Sequence, residues 1–185
     1  MQRPSFESVV EQFYQPLFRF ALSLTKHETE ACDLTQQTFY LWATKGHQLR
    51  DATKVKSWLF TTLHREFLSL ARRRRRFEHT EMDESSPELP VSDPTMVNDL
   101  DGKSALAALQ QVEELYRAPL ALFYLKDHSY KEIAAILEIP IGTVMSRLAR
   151  GKGQLRKILA DRKKSPTAAN KIIPLDSDPQ RKNFS

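Results

Sequence analysis

Ser146, Ala149, Arg150, Gly153 and Lys157 fall on one side of a helical projection of residues 141–159, with Arg147, Lys152 and Arg156 flanking them. Small side chains between cations let a helix come close to a polyanion, while arginine and lysine reach phosphates or the hydrogen-bonding edges of bases. Val144, Leu148, Leu155, Ile158 and Leu159 form another stripe, which predicts that they face a core and that the cationic side faces outward. A solvated basic helix face is the plain alternative. The run Arg72–Arg76 is a second cationic feature, suited to sequence-independent attraction to a phosphate backbone.

Groups capable of covalent chemistry are present but not assembled. His27, His47, His64, His79 and His128 are scattered, without a paired nucleophile, a glycine-rich phosphate loop or a metal-spaced partner. The single Cys32 can form no disulfide within the chain and has no neighbour at zinc-ligand spacing. The expectation is a protein that is not an enzyme and needs no cofactor or metal. A lone thiol fits a reducing cytoplasm, and no stretch approaches the ~20 apolar residues of a membrane span.

The elements that must position the cations are helices. Only 5 glycines and few alternating β-branched stretches leave little room for sheet, so the fold class is predicted as all-α. Ser129-Tyr130-Lys131-Glu132 has the Ser-x-x-Glu form in which hydroxyl and carboxylate satisfy each other's backbone amides at a helix start. That helix stops before Pro140 and a second begins near Ile141 to Thr143, which makes a helix-turn-helix. Upstream, apolar residues at helical spacing predict helices carrying Phe6 to Leu22, Ala31 to Trp42 and Trp58 to Ala71, with Gly46 as a terminator and Gln48 to Lys54 as a polar loop. Pro119 is expected to open a further helix.

Charge divides the chain. Residues 77–101 carry −8 with no lysine or arginine, against +5 overall, leaving +13 on the remainder. The predicted organisation is two small helical domains, an N-terminal helical bundle over 1–76 and a C-terminal helix-turn-helix domain over 101–162. A flexible acidic linker over 77–100 joins them, and a disordered tail follows over 163–185. Basic bodies favour a polyanionic partner.

Residues 129–150 end in Gly142-Thr143-Val144-Met145-Ser146-Arg147-Leu148-Ala149-Arg150 and resemble the promoter-binding helix-turn-helix of extracytoplasmic-function (ECF) sigma factors, whose usual form is Gly-Thr-Val-Lys-Ser-Arg-Leu-x-Arg. Asp33-Leu34-Thr35-Gln36-Gln37-Thr38-Phe39 is similar to that family's Asp-Leu-x-Gln-Glu-x-Phe motif, and Trp58-Leu59-Phe60 to its Trp-Leu-Tyr/Phe signature. The resemblance spans about Val9 to Leu159 and implies a subunit that guides bacterial core RNA polymerase to promoter DNA, with an anti-sigma protein as an inhibitory partner. It implies that Thr143, Met145, Ser146, Arg147, Ala149, Arg150 and Lys157 meet the upstream, minus-thirty-five element. Arg50, Lys54, Lys56, Trp58 and Arg65 would meet the melted minus-ten strand. Asp33, Gln36 and Phe39 would meet polymerase, with core packing as the competing role for Phe39 and Trp58.

Four residues depart from the family pattern. Gln37 stands for an acidic residue, Arg65 for the common Asn, Glu138 for the glycine of the turn, and Met145 for a Lys or Arg. Gln37 and Arg65 keep open the alternative of a helix-turn-helix regulator that does not engage polymerase.

Overall fold

The computed structural model describes residues 4–78, 100–126 and 128–164, and every regular element among them is helical. The predicted linker falls largely on residues 79–99 and the predicted tail on residues 165–185, outside the described residues.

Helix α1 (Phe6–Thr25) starts where the Ser5 hydroxyl accepts the Ser8 amide at 3.2 Å and ends at Lys26 in the left-handed region, φ 65°. It buries Val9, Phe13, Leu17, Phe20, Ala21 and Leu24. Helix α2 (Glu28–Lys45) buries two threonines beside its apolar stripe. Their hydroxyls donate one turn back, Thr35 to the Ala31 carbonyl at 2.7 Å and Thr38 to Leu34 at 2.8 Å, so neither hydroxyl is stranded in the core. Gly46 follows α2 as expected, but not for the expected reason. Its φ is −58°, open to any residue; a Cβ there would lie 2.5 Å from the Trp42 indole, so glycine is needed for close approach.

Two short 3-10 turns, Gly46–Gln48 and Ala52–Lys54, bracket the predicted Gln48 to Lys54 loop, the first leading into it and the second lying at its end. Helix α3 (Val55–Glu78) then buries Val55, Leu59, Phe60 and Leu63 and runs through the arginine cluster two residues past the expected domain end. Helix α4 (Leu100–Leu109) opens the second body. Helix α5 (Glu114–Lys126) passes through Pro119 rather than starting at it. A proline this early in a helix forfeits one i→i−4 hydrogen bond, which burial of Leu120, Ala121 and Leu122 offsets. Helices α6 (Tyr130–Leu137) and α7 (Ile141–Lys164) complete the chain.

The two bodies share one continuous core. α5 packs on α1, and α6 on α3. Phe60 of α3 lies between Phe20 of α1, with ring centroids 5.5 Å apart, and buried His128, 4.8 Å away and edge-on. Polar ties reinforce the junction. The buried Arg117 guanidinium donates to the Val112 carbonyl at 2.9 Å and to Leu24 at 3.4 Å, while the Gln110 amide donates to Leu22 at 3.2 Å. Leu24 lies in the last turn of α1, where carbonyls lack a partner within the helix, and Arg117 supplies a donor to it; the Leu22 carbonyl already accepts the Lys26 amide at 3.0 Å and takes Gln110 as a second donor.

Candidate nucleic-acid interface

The capping box at α6 forms as its residue types predict. The Glu132 amide donates to the Ser129 hydroxyl at 3.3 Å, and the Ser129 amide donates to the Glu132 carboxylate at 2.8 Å. The Ser129 amide and the Ser129 hydroxyl, each donating to the Glu132 carboxylate at 2.8 Å, hold that carboxyl below its ordinary pKa despite some desolvation, with smaller help from Lys56 and His128. α6 ends at Glu138, whose φ of 55° and ψ of 42° put it in the left-handed region. The Ile139 amide donates back to Ala134 at 3.1 Å, and Pro140 accepts the amides of Thr143 and Val144 at 2.9 and 3.1 Å to start α7. A side chain at such a φ costs about 1 kcal/mol that glycine would avoid.

In α7, Val144 and Leu148 are fully buried and Leu155 and Ile158 partly so, whereas Leu159, expected in the same stripe, is 38% exposed. The opposite side presents Met145, Ser146, Ala149, Arg150, Gly153 and Lys157 to solvent, with Thr143 half-buried. Two cations expected beside them are engaged elsewhere. Lys152 lies 4.0 Å above the Phe123 ring, a cation–π contact that draws it toward α5. Arg147 is half-buried and lines a cleft of about 470 Å³ with His64, Leu68, Arg75, Glu114 and Leu137.

Two glycines of α7 have opposite roles. Gly151 is buried, and a Cβ there would lie 2.7 Å from Leu120 Cδ1 and 3.0 Å from Tyr116 Cβ; Gly153 faces open space. Gly151→Leu is therefore expected to lower stability by about 1–3 kcal/mol through overpacking. Gly153→Ala should raise it by up to about 1 kcal/mol through helix propensity. Thermal denaturation checks both, and equal signs would contradict this packing of α5 on α7.

The residues expected at an unpaired strand sit in and beside α3. Arg50 and Lys54 are exposed, and Arg50 rims a cleft of about 390 Å³ together with His47, Leu49, Asp51 and Trp42. Lys56 is half-buried. Trp58, also half-buried, meets Trp42 edge-on at 5.3 Å, so packing takes much of its ring. Arg65 does not stand clear: it pairs bidentately with Glu138 of the turn, Nε donating to Oε2 at 3.3 Å and Nη2 to Oε1. Two departures from the family pattern thus meet each other, although 73 residues apart. In the arginine run, Arg74 is tied to Glu30 of α2 at 2.8 Å.

On α2, Asp33 and Gln36 are exposed, and the Gln36 amide donates to Cys32 Sγ at 3.4 Å. Phe39 takes the core-packing alternative: it is buried, 6% exposed, and stacks on Tyr14 at 6.3 Å. Tyr40 is the exposed aromatic of that segment, at 64%, one helical turn beyond Gln36. Sequence reasoning missed it; a helical projection aligning Asp33, Gln36 and Tyr40 was the available signal.

Comparison with known proteins agrees with this geometry. The family described as Sigma-70 region 2 matches residues 9–77, covering nearly all of α1–α3, and Sigma-70, region 4 matches residues 103–155, from α4 into α7. The chain is 33% identical over 150 residues to the ECF RNA polymerase sigma factor SigL of Mycobacterium tuberculosis, covering 78% of this chain and 83% of that protein. This chain belongs to the ECF sigma factor family. It is also 33% identical over 161 residues to the ECF RNA polymerase sigma factor SigE of Mycolicibacterium smegmatis, covering 85% of this sigma factor and spanning 62% of SigE. Among solved structures, the sigma factor RpoE in complex with the anti-sigma factor NepR from Bartonella quintana is similar, with a TM-score of 0.68 and 29% identity over 84% of this chain and 96% of that one. Among the described residues of this sigma factor, no helix is long and apolar enough to cross a membrane, and no cluster of His, Cys, Asp and Glu could hold a metal ion.

Proposed function

We propose that this sigma factor directs core RNA polymerase to promoters by binding alone, α7 entering the major groove of the upstream element while α2 and α3 hold polymerase and the opened minus-ten strand. The observation that carries this is α7 itself: Val144 and Leu148 anchor one side in the core, and the other offers Ser146, Ala149, Arg150, Gly153 and Lys157 to solvent. A helix that is small and cationic along its outer side fits the groove floor, and its arginines can address base edges. Met145 offers no hydrogen bond, so the preferred upstream sequence differs from that of relatives with a lysine there.

Asp33 and Gln36, with Tyr40 in place of Phe39, form the polymerase-facing side of α2. The cleft at Arg50, beside the Trp42–Trp58 pair, suits capture of an unpaired base, and Lys54, Lys56 and Arg65 suit its phosphates. Action on chromosomal promoters places the protein in the cytoplasm, with an anti-sigma protein as its inhibitory partner. Agreement of residues 9–77 with Sigma-70 region 2 favours polymerase engagement over a regulator that binds DNA alone.

In promoter-binding assays with reconstituted holoenzyme, Arg150→Ala is expected to weaken recognition of the upstream element by about 1–3 kcal/mol. The control is Arg73→Ala, which alters an exposed cation and should lower affinity for all duplexes alike; Arg74, already held by Glu30, is the poorer choice. Equal loss of discrimination from both substitutions would remove the assignment of the reading face.

A further inference from the structure

Two large apolar side chains stand exposed on the first turns of α7, Ile141 at 43% and Met145 at 52%, one helical turn apart. Ala149, a further turn on and also exposed, continues the same edge. Single exposed apolar residues are ordinary on a protein surface, but this edge borders the side of α7 that carries Arg150 and Lys157. A duplex drawn to those cations brings the floor of its major groove against Met145. The one methyl group that the four bases present there is the 5-methyl of thymine.

Hydrogen bonding around Met145 points the same way. Ile141, Gly142 and Ala149 have no polar side-chain atom, and Ser146 donates its hydroxyl proton to the Thr143 carbonyl at 3.0 Å, so in this geometry it meets DNA only as an acceptor. Lysine or arginine at the position of Met145 would select guanine by donating to O6 and N7; here no donor replaces them. What remains to tell one base pair from another at this point is whether a methyl group is present. From this arrangement we infer that Met145, with Ile141 one turn before it, selects thymine at one position of the upstream element by covering its 5-methyl group. The inference rests on the reading of α7 as the helix that enters the major groove. Methionine suits the task because its unbranched thioether can adjust to lie flat on a methyl group.

The test uses holoenzyme reconstituted from the full chain and core polymerase. Selection from duplexes randomised across the upstream element should return at least one fixed thymine. Deoxyuridine removes the methyl group and keeps the base pairing, so fixed thymines are replaced by it one at a time. At one of them binding should weaken by about three- to fivefold, the weight of one buried methyl group. Met145→Leu should keep the difference between thymine and deoxyuridine, Met145→Gln should abolish it, and Met145→Lys should bring guanine to that position.

The role of Met145 is overturned if selection fixes no thymine, if deoxyuridine binds as well as thymine at every position, or if the difference persists in Met145→Gln. Arg150→Ala separates this outcome from failure of the wider function. Weakened recognition by Arg150→Ala, with deoxyuridine making no difference, leaves α7 as the reading helix and sinks this inference alone. If neither change matters, the reading helix is misassigned and the inference falls with it.

Discussion

Phe60→Ala is expected to cost about 3–5 kcal/mol of folding stability, the largest effect of any single substitution considered. Phe60 is 1% exposed and fills space against Phe20 of α1 on one side and His128 of the second body on the other. Its removal leaves a cavity where two packed bodies meet, and neither can collapse into it without breaking its own contacts. Urea denaturation followed by helical circular dichroism measures this. Leu68→Ala, on the same helix but 41% exposed, should stay within about 0.5 kcal/mol of the parent. A Phe60→Ala cost no larger than that would mean the two bodies do not share a core in solution.

Acidification should act through His64. Burial in the cleft between α3, α5, α6 and α7 pushes its imidazole down from 6.5 to about 4, with Glu138 opposing the shift and Arg147 adding to it. The folded state therefore holds the neutral ring, while the unfolded chain binds a proton from about pH 6.5 downward. Stability is full above pH 6.5 and falls as pH drops toward 4, because the unfolded state binds more protons throughout that window. The loss is about 2 kcal/mol by pH 5 and about 3 kcal/mol by pH 4, at 1.36 kcal/mol per unit.

Glu132 and Glu138 titrate lower. The Ser129 hydrogen bonds hold the first and the Arg65 hydrogen bonds the second below the ordinary 4.5, so their contribution is present above 4.5 and lost as pH falls further. The slope between pH 6.5 and 5 consequently isolates histidine. His64→Leu suits a cleft already lined by Phe67, Leu68 and Leu137 and should flatten that slope relative to the parent. Thermal unfolding at pH 7 and pH 5 decides it: equal slopes in the two proteins would show that His64 is not the group.

The chain's own residue pattern was enough for most of what depends on near neighbours, though it put Pro119 at a helix start and left out Tyr40. Helical periodicity marked α1, α2, α3 and α7 because side chains three and four apart share a face in any helix. Ser129 and Glu132 marked the start of α6, Pro140 marked its end, and Val144 with Leu148 dictated which side of α7 would be free, all within one or two turns of backbone. Interactions between distant residues were decided by the tertiary structure. Gly151 is demanded by Leu120; Lys152 is claimed by Phe123, and Arg147 lines the interbody cleft. Arg65 and Glu138 each looked like an isolated departure from a family motif, and only the fold shows them as partners. Local structure follows from sterics and hydrogen bonds a few residues apart, whereas a contact across 73 residues exists only once two independent apolar faces have chosen each other.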